Sequence, residues 1–414
     1  MAKEPIRHDT ACRLCRSHQI STVFHLTPTP PEDRFVSKDQ VLVPQDVYPL
    51  DLALCEACGY VHLPYVLRPE ISYPDYIYVT KVTLGLRNHY QEYADEILAM
   101  IQPLKSSLMI DLGSNDGSML EAFKKRGMKV LGVEPAQAIG KAANDAGIPT
   151  IVDFFSDSVA EQIIRQHGKA SIVTANYMYA NIDDLVAFTN NVNKLLTEDG
   201  VFVVQTGYHP EQMKVKMFDY IYHEHFSYFT LKVLRYLFAR CGLELIDAQK
   251  TPAKGGSIRT MAQLAGGRRP VSESVTEIIR EEETAGMERT DIYFEFAAEI
   301  ERAKNEMSDL LHKLKATGKR MVGYGASHST TTLTYHFGLA QFMEYLVDDN
   351  PIKNGLYSPG YHLPVYSTQK LYEDKPIYVI VLAWQYQEPI IARNKQFSEQ
   401  GGTFIVPLPK LRVV

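Results

Sequence analysis

Apolar and polar positions fall into blocks of different period along this chain. Residues 48–55 (YPLDLALC) read as a strand. From about residue 85 to 265, short apolar runs alternate with helical spacing. Strands are predicted at 107–112, 130–133, 171–176, 201–205, 243–248 and 258–265, and helices at 89–101, 183–196 and 231–239. Such alternation predicts a mostly parallel sheet covered on both faces. Residues 271–318 carry many charges with apolar residues at helical spacing, which predicts one or two connecting helices broken near Ala285-Gly286. From about 319 a second α/β unit begins, with strand-like KRMVGYG, FMEYLVDD, YVIVLAW and TFIVPLP.

The chain is organised around Ser107–Pro135. An apolar strand runs into Asp111-Leu112-Gly113, Asp116-Gly117 follows, and helical spacing begins at Met119. A buried strand, a glycine turn and a helix N-terminus in that order offer backbone N–H groups to a ligand. A second strand ends in Glu134, placed to accept ribose hydroxyls. The glycines are spaced G-x-x-x-G rather than G-x-G-x-x-G, and Asp111 and Asp116 would repel a pyrophosphate. They suit a sulfonium or ammonium, which points to S-adenosylmethionine. An ordinary strand–turn–helix with an acidic cap is the plainer alternative.

The cysteines change the picture at the N-terminus. Cys12/Cys15 and Cys55/Cys58 form two C-x-x-C pairs, with 39 residues between Cys15 and Cys55. Four thiolates predict a structural zinc with no open position for water. Cys241 lies in an apolar run and is expected in the core. The predicted organisation is a zinc-binding module (1–75), a methyltransferase domain (76–268), connecting helices (269–318) and a C-terminal α/β domain (319–414). Tyr65, Tyr73, Tyr76 and Tyr78 make either a packing seam or a flap. In the C-terminal unit the loop Gly323–Ser329 could hold a phosphate, or merely turn. A net charge of −6 and the lack of a basic stripe argue against nucleic acid. No apolar run reaches membrane-spanning length, and the N-terminus lacks a signal-peptide core, so a cytoplasmic protein is expected.

The densest chemistry lies in FDYIYHEHFSYF, which gathers Tyr222, His223, Glu224 and His225. It reads as a metal site, a packed aromatic turn, or a general base held by a carboxylate and a phenol. The last is preferred, because histidine accepts a proton near neutral pH. A base beside a methyl donor implies methylation of a centre that first loses a proton, such as a carbon next to a carbonyl.

Together the C-x-x-C pairs, DLGSNDGSML, GVEPA, YHEHFSYF, GGSIR, VDDNPIKNGLYSPG and VLAW resemble the sugar C-methyltransferases that act on nucleotide-linked 4-keto deoxysugars. The resemblance covers nearly the whole chain. It implies a central class I methyltransferase-type Rossmann-like sheet, an N-terminal zinc module, and a C-terminal Rossmann-like domain helping to hold the nucleotide-sugar. It also implies transfer to C3 of the sugar through an enolate. Carried over, His225 is the base, with Tyr222, Glu224 and His223 around it. Asp111, Gly113, Asn115, Asp116, Gly117, Glu134 and Asn176 hold the cofactor. Tyr76, Asn181, Ser257, Arg259, Tyr324, Ser327 and His328 face the substrate, although Arg259 could equally pair with an acidic residue. Three positions depart from the family: Asn181 replaces a histidine, Ser329-Thr330 replaces lysine-glycine, and Gln205 replaces an acidic residue. These cluster in the substrate region and suggest a changed substrate or reaction. A keto acceptor without a nucleotide and a catalytically silent zinc-ribbon scaffold are the alternatives. The oligomeric state stays open, leaning towards a monomer.

Overall fold

A computed structural model describes residues 4–68, 71 and 86–414 of the chain. Tyr73, Tyr76 and Tyr78 lie outside the described residues; Tyr65 stacks on His8, with ring centroids 4.5 Å apart.

The central sheet has seven strands in the order Leu243–Thr251, Ser257–Leu264, Leu196–Gly207, Ala170–Asn176, Leu108–Leu112, Lys129–Val133 and Thr150–Ile151. The last five are parallel neighbours, while Ser257–Leu264 runs antiparallel to both of its neighbours. The expectation of a mostly parallel sheet holds, with one antiparallel insertion at the edge. Leu108–Leu112 is buried throughout, as a strand covered on both faces must be. The helix Leu185–Leu195 starts where the Asp184 carboxylate accepts from the Ala187 N–H at 2.9 Å. Cys241 is buried in the core beneath it.

The N-terminal module forms a four-stranded antiparallel sheet, and its fourth strand comes from elsewhere. Ile20–Thr29, Tyr48–Cys55 and Val61–His62 are joined by Ser227–Tyr228, which belongs to the histidine-rich segment. Leu63 N–H donates to Phe226 C=O at 3.0 Å, and Arg13 donates to the same oxygen at 2.5 Å. The zinc module and the segment Phe218–Phe229 are thus one folded unit.

Helices Glu273–Thr284 and Thr290–Lys315 flank the predicted break at Ala285-Gly286. Here Gly286 takes a positive φ of 71° that ends the first helix. The C-terminal sheet has six strands around Met321–Tyr324, which pairs in parallel with Leu346–Asp348 and Tyr378–Val381. One continuous apolar core runs from Phe24 and Leu52 through Phe218 and Phe296 to Val347 and Ile380. It ties the zinc module, the histidine-rich segment, the connecting helix and the C-terminal sheet together. Asp219 and Trp384 add a buried hydrogen bond of 3.0 Å across the same seam.

Candidate active site

A cavity of about 870 Å³ opens at the carboxyl ends of the central parallel strands, where ligands bind in open α/β sheets. Both α/β units and the N-terminal module contribute to its walls.

At the central end lies the loop Gly113-Ser114-Asn115. Gly113 has φ of 70°, and a Cβ there would meet Met178 at 2.8 Å, so only glycine fits this turn. The Glu134 carboxylate accepts from Asn115 N–H at 2.9 Å and from Ala136 N–H at 2.8 Å. One side chain therefore fixes both the glycine loop and the turn after the second strand. Asp111, on the strand below, accepts from the Thr174 hydroxyl at 2.5 Å and from Asn176 at 3.4 Å. Burial pushes Asp111 up to about 7 and also raises Glu134. Two buried carboxylates and the apolar walls Phe155, Met178 and Ile182 fit a cationic nucleoside such as S-adenosylmethionine.

Beside this end stands the histidine-rich segment. His225 Nδ1 lies 3.1 Å from the Tyr220 carbonyl, which can only accept, so Nδ1 carries the hydrogen. Burial lowers His225 to about 4, so the ring is neutral and Nε2 is a lone pair. The Tyr222 hydroxyl meets that nitrogen at 2.9 Å, and the two rings stack with centroids 4.0 Å apart. Glu224 also lines the cavity. Burial, then the charges of Glu32 and Asp33, raise its carboxyl well above the usual range.

The far end belongs to the C-terminal unit. Tyr324, Ser327 and His328 line it together with Asp348 and Asp349. Asp348 accepts from Ala326 N–H at 2.6 Å and from Asn350 N–H at 2.7 Å. Asp33 bridges the N-terminal module to this end, 2.7 Å from Lys353 Nζ and 3.5 Å from His328 Nε2. Asn181 and Ser257 line the walls between.

Four predicted contributors stand away from the cavity walls. His223 turns towards the N-terminal module, buried with Nδ1 3.7 Å from Glu32 and 3.5 Å from the Thr29 hydroxyl. Asp116 caps the following helix, accepting from Ser118 N–H at 3.0 Å and from its hydroxyl at 2.5 Å. Gly117 starts that helix at φ of 77°, packed against Ile148. Arg259 pairs with Glu96 and Gln249, its guanidinium 4.9 Å from the Tyr93 ring centroid. Other wall residues lie outside the motifs that the sequence shows. Asp33 was hidden in a proline-rich bend, whose acidic pair Glu32-Asp33 was the available signal. Lys254 and Tyr177 carried no signal, because each is placed by a non-glycine residue at positive φ.

The four sulfurs meet the geometric test for zinc. Cys12 and Cys58 Sγ lie 3.8 Å apart and Cys15 and Cys55 3.5 Å apart, with all four within 4.8 Å of one another. Tetrahedral Zn–S bonds of about 2.3 Å require S···S near ~3.8 Å.

The fold and its site define an S-adenosylmethionine-dependent methyltransferase with a structural zinc. Family models match three stretches: a zinc binding domain over residues 12–73, a methyltransferase domain over 86–248 and a C-methyltransferase C-terminal domain over 252–409. The C-methyltransferase NovU of Streptomyces niveus is 33% identical over 410 residues, spanning 99% of this chain and 98% of its own. The chain belongs to this C-methyltransferase family. Two solved structures each overlap less than half of it. A methyltransferase from Clostridium acetobutylicum ATCC 824 is 13% identical over 48% of this chain and 96% of its own, at a TM-score of 0.34. Magnesium protoporphyrin IX methyltransferase from Synechocystis PCC 6803 is 14% identical over 46% and 86%, at 0.33. Among the described residues no helix is long and apolar enough to cross a membrane.

Proposed function

We propose that the enzyme methylates C3 of a nucleotide-linked 4-keto deoxysugar in the cytoplasm. The observation that carries this reading is the neutral His225, its lone pair joined to Tyr222, on the wall of a cavity that also holds two acid-capped glycine loops. Asp111, Gly113, Asn115, Glu134 and Asn176 hold the methyl donor, which supplies an electrophilic methyl group on a sulfonium. Tyr324, Ser327, His328 and Asp348 hold the nucleotide part of the acceptor. The sugar then lies between, against Tyr222, Glu224, Asn181 and Ser257.

The chemistry follows from the tautomer. The C3 proton passes to the Tyr222–His225 pair, with Nε2 as its final seat. The electron pair left on carbon spreads onto the 4-keto oxygen, and carbon then takes the methyl group. Burial and the charges of Glu32 and Asp33 favour the protonated form of Glu224, and in that form it donates a hydrogen bond to a sugar oxygen without adding charge.

The test is incubation with methyl-¹³C-labelled S-adenosylmethionine and a panel of nucleotide-linked ketosugars. A new ¹³C methyl on C3 and loss of the C3 proton by NMR are expected. Label on oxygen or nitrogen would refute it, as would transfer only to acceptors lacking a nucleotide.

A further inference from the structure

Carbanion formation next to a ketone places negative charge on the keto oxygen, and a site that accelerates it must meet that charge. Three cationic side chains line the C-terminal end of the cavity: Lys353, Arg393 and, when protonated, His328. Lys353 and His328 face Asp33, and Arg393 faces Asp349 at 3.2 Å. A fourth cation, Lys254, lines the cavity on the central unit's side, with Tyr177, Ser257, Tyr222 and His225.

Lys254 is placed there by a constrained turn. It has φ of 49° and ψ of 39°, a conformation that a lysine seldom adopts. Gly255 and Gly256 follow with φ of 80° and 118°. The turn is held from several sides. Ser257 donates to Ala253 C=O at 2.8 Å, Tyr208 N–H donates to Gly256 C=O at 3.1 Å, and a Cβ on Gly255 would run into Met217. The ammonium lies 4.2 Å from the centroid of the Tyr177 ring, and Tyr177 is itself at a positive φ of 56°. The Tyr177 hydroxyl is fixed by Gln205 at 2.6 Å. The cation and the aromatic platform beneath it are thus both set by the backbone.

We infer that Lys254 is a further catalytic residue, whose ammonium hydrogen-bonds the keto oxygen of the acceptor and stabilises the enolate formed when the adjacent carbon loses its proton. The inference rests on the proposed function. In the step, the C–H bond breaks and its proton goes to the Tyr222–His225 pair. The electron pair moves into a C=C bond as the C=O pair moves onto oxygen, facing the ammonium. The C=O bond then re-forms while carbon bonds the methyl group, and the sulfonium becomes a neutral thioether. Removal from water brings Lys254 down to about 8, so it still carries its charge at pH 7. The same charge disfavours protonation of His225, which keeps the base ready.

The experiment follows exchange of the acceptor's C3 hydrogen for deuterium, with S-adenosylhomocysteine in place of the methyl donor. It compares the wild-type enzyme with Lys254→Met, Lys254→Gln and Lys254→Arg. Loss of an oxyanion-stabilising group should slow exchange and kcat for methyl transfer together, by about 10²-fold or more, in the Met and Gln variants. KM should stay within a few-fold, S-adenosylhomocysteine affinity should hold, and Arg should recover part of the rate. Exchange within threefold of wild type in the Gln variant, or a loss confined to KM, overturns the inference. Wild-type enzyme that neither exchanges nor methylates such ketosugars overturns the proposed function and Lys254's role with it.

Discussion

The two α/β units repeat one device. Each runs a parallel strand into a glycine turn and a helix, and each ends its next strand in a carboxylate. Glu134 accepts from the loop N–H of Asn115 and from Ala136, two residues ahead of it. Asp348 accepts from the loop N–H of Ala326 and from Asn350, again two residues ahead. They differ in what lies under the turn. The central unit has a second buried acid, Asp111, held by Thr174 and Asn176. The C-terminal unit has Lys353, donating to Ala326 C=O at 2.6 Å and paired with Asp33. A buried acid below the loop suits a cationic ligand, whereas a cation below it suits a phosphate. On the proposed function, Asp111 would face the sulfonium, and Lys353, balanced by Asp33, would lie nearest the phosphates.

The largest expected effect comes from removing what holds these ends together. Stripping zinc with a strong chelator should abolish methyl transfer, because the zinc module supplies the sheet to which Ser227–Tyr228 adds. Metal analysis beside activity and circular dichroism checks this; full activity in zinc-free protein would break the link. Next in size is His225→Ala, expected to lower kcat by about 10²–10⁴-fold while S-adenosylhomocysteine affinity is unchanged. A rate near wild type would place the base elsewhere. The smallest effect sharpens the charge contrast. Asp111 sits near half-protonation at pH 7 in the free enzyme. A bound cation favours its carboxylate, so binding should release a fraction of a proton, and affinity should fall as pH drops below 7. Calorimetry in buffers of different ionisation enthalpy reads this directly, and proton uptake would contradict it.

Much of this was legible in the sequence. Strand–glycine–helix patterns and acidic strand ends mark both units, and paired C-x-x-C spacing marks the zinc module, because these depend on local chain properties. Direction was harder to read. His223 and His225 are two residues apart, a spacing that shares one face in a strand; the turn in which His225 N–H donates to Tyr222 C=O at 3.0 Å instead sends one to Glu32 and the other to the cavity. Asp116 looked like a cofactor ligand yet serves the helix it precedes. Arg259 reads equally as a phosphate ligand or as the partner of an acidic residue, and it takes the second role, with Glu96 from a helix far away in sequence. Asp33 and Lys254 reach the cavity only through tertiary packing, which no local pattern encodes.

The most direct test of the proposed assignment of the two ends is a set of titrations of S-adenosylhomocysteine and a nucleoside diphosphate into wild-type, Glu134→Ala and Asp348→Asn enzymes. The first variant should weaken only S-adenosylhomocysteine and the second only the nucleoside diphosphate, while both ligands bind wild type at once. Mutual competition, or both variants weakening the same ligand, would contradict it.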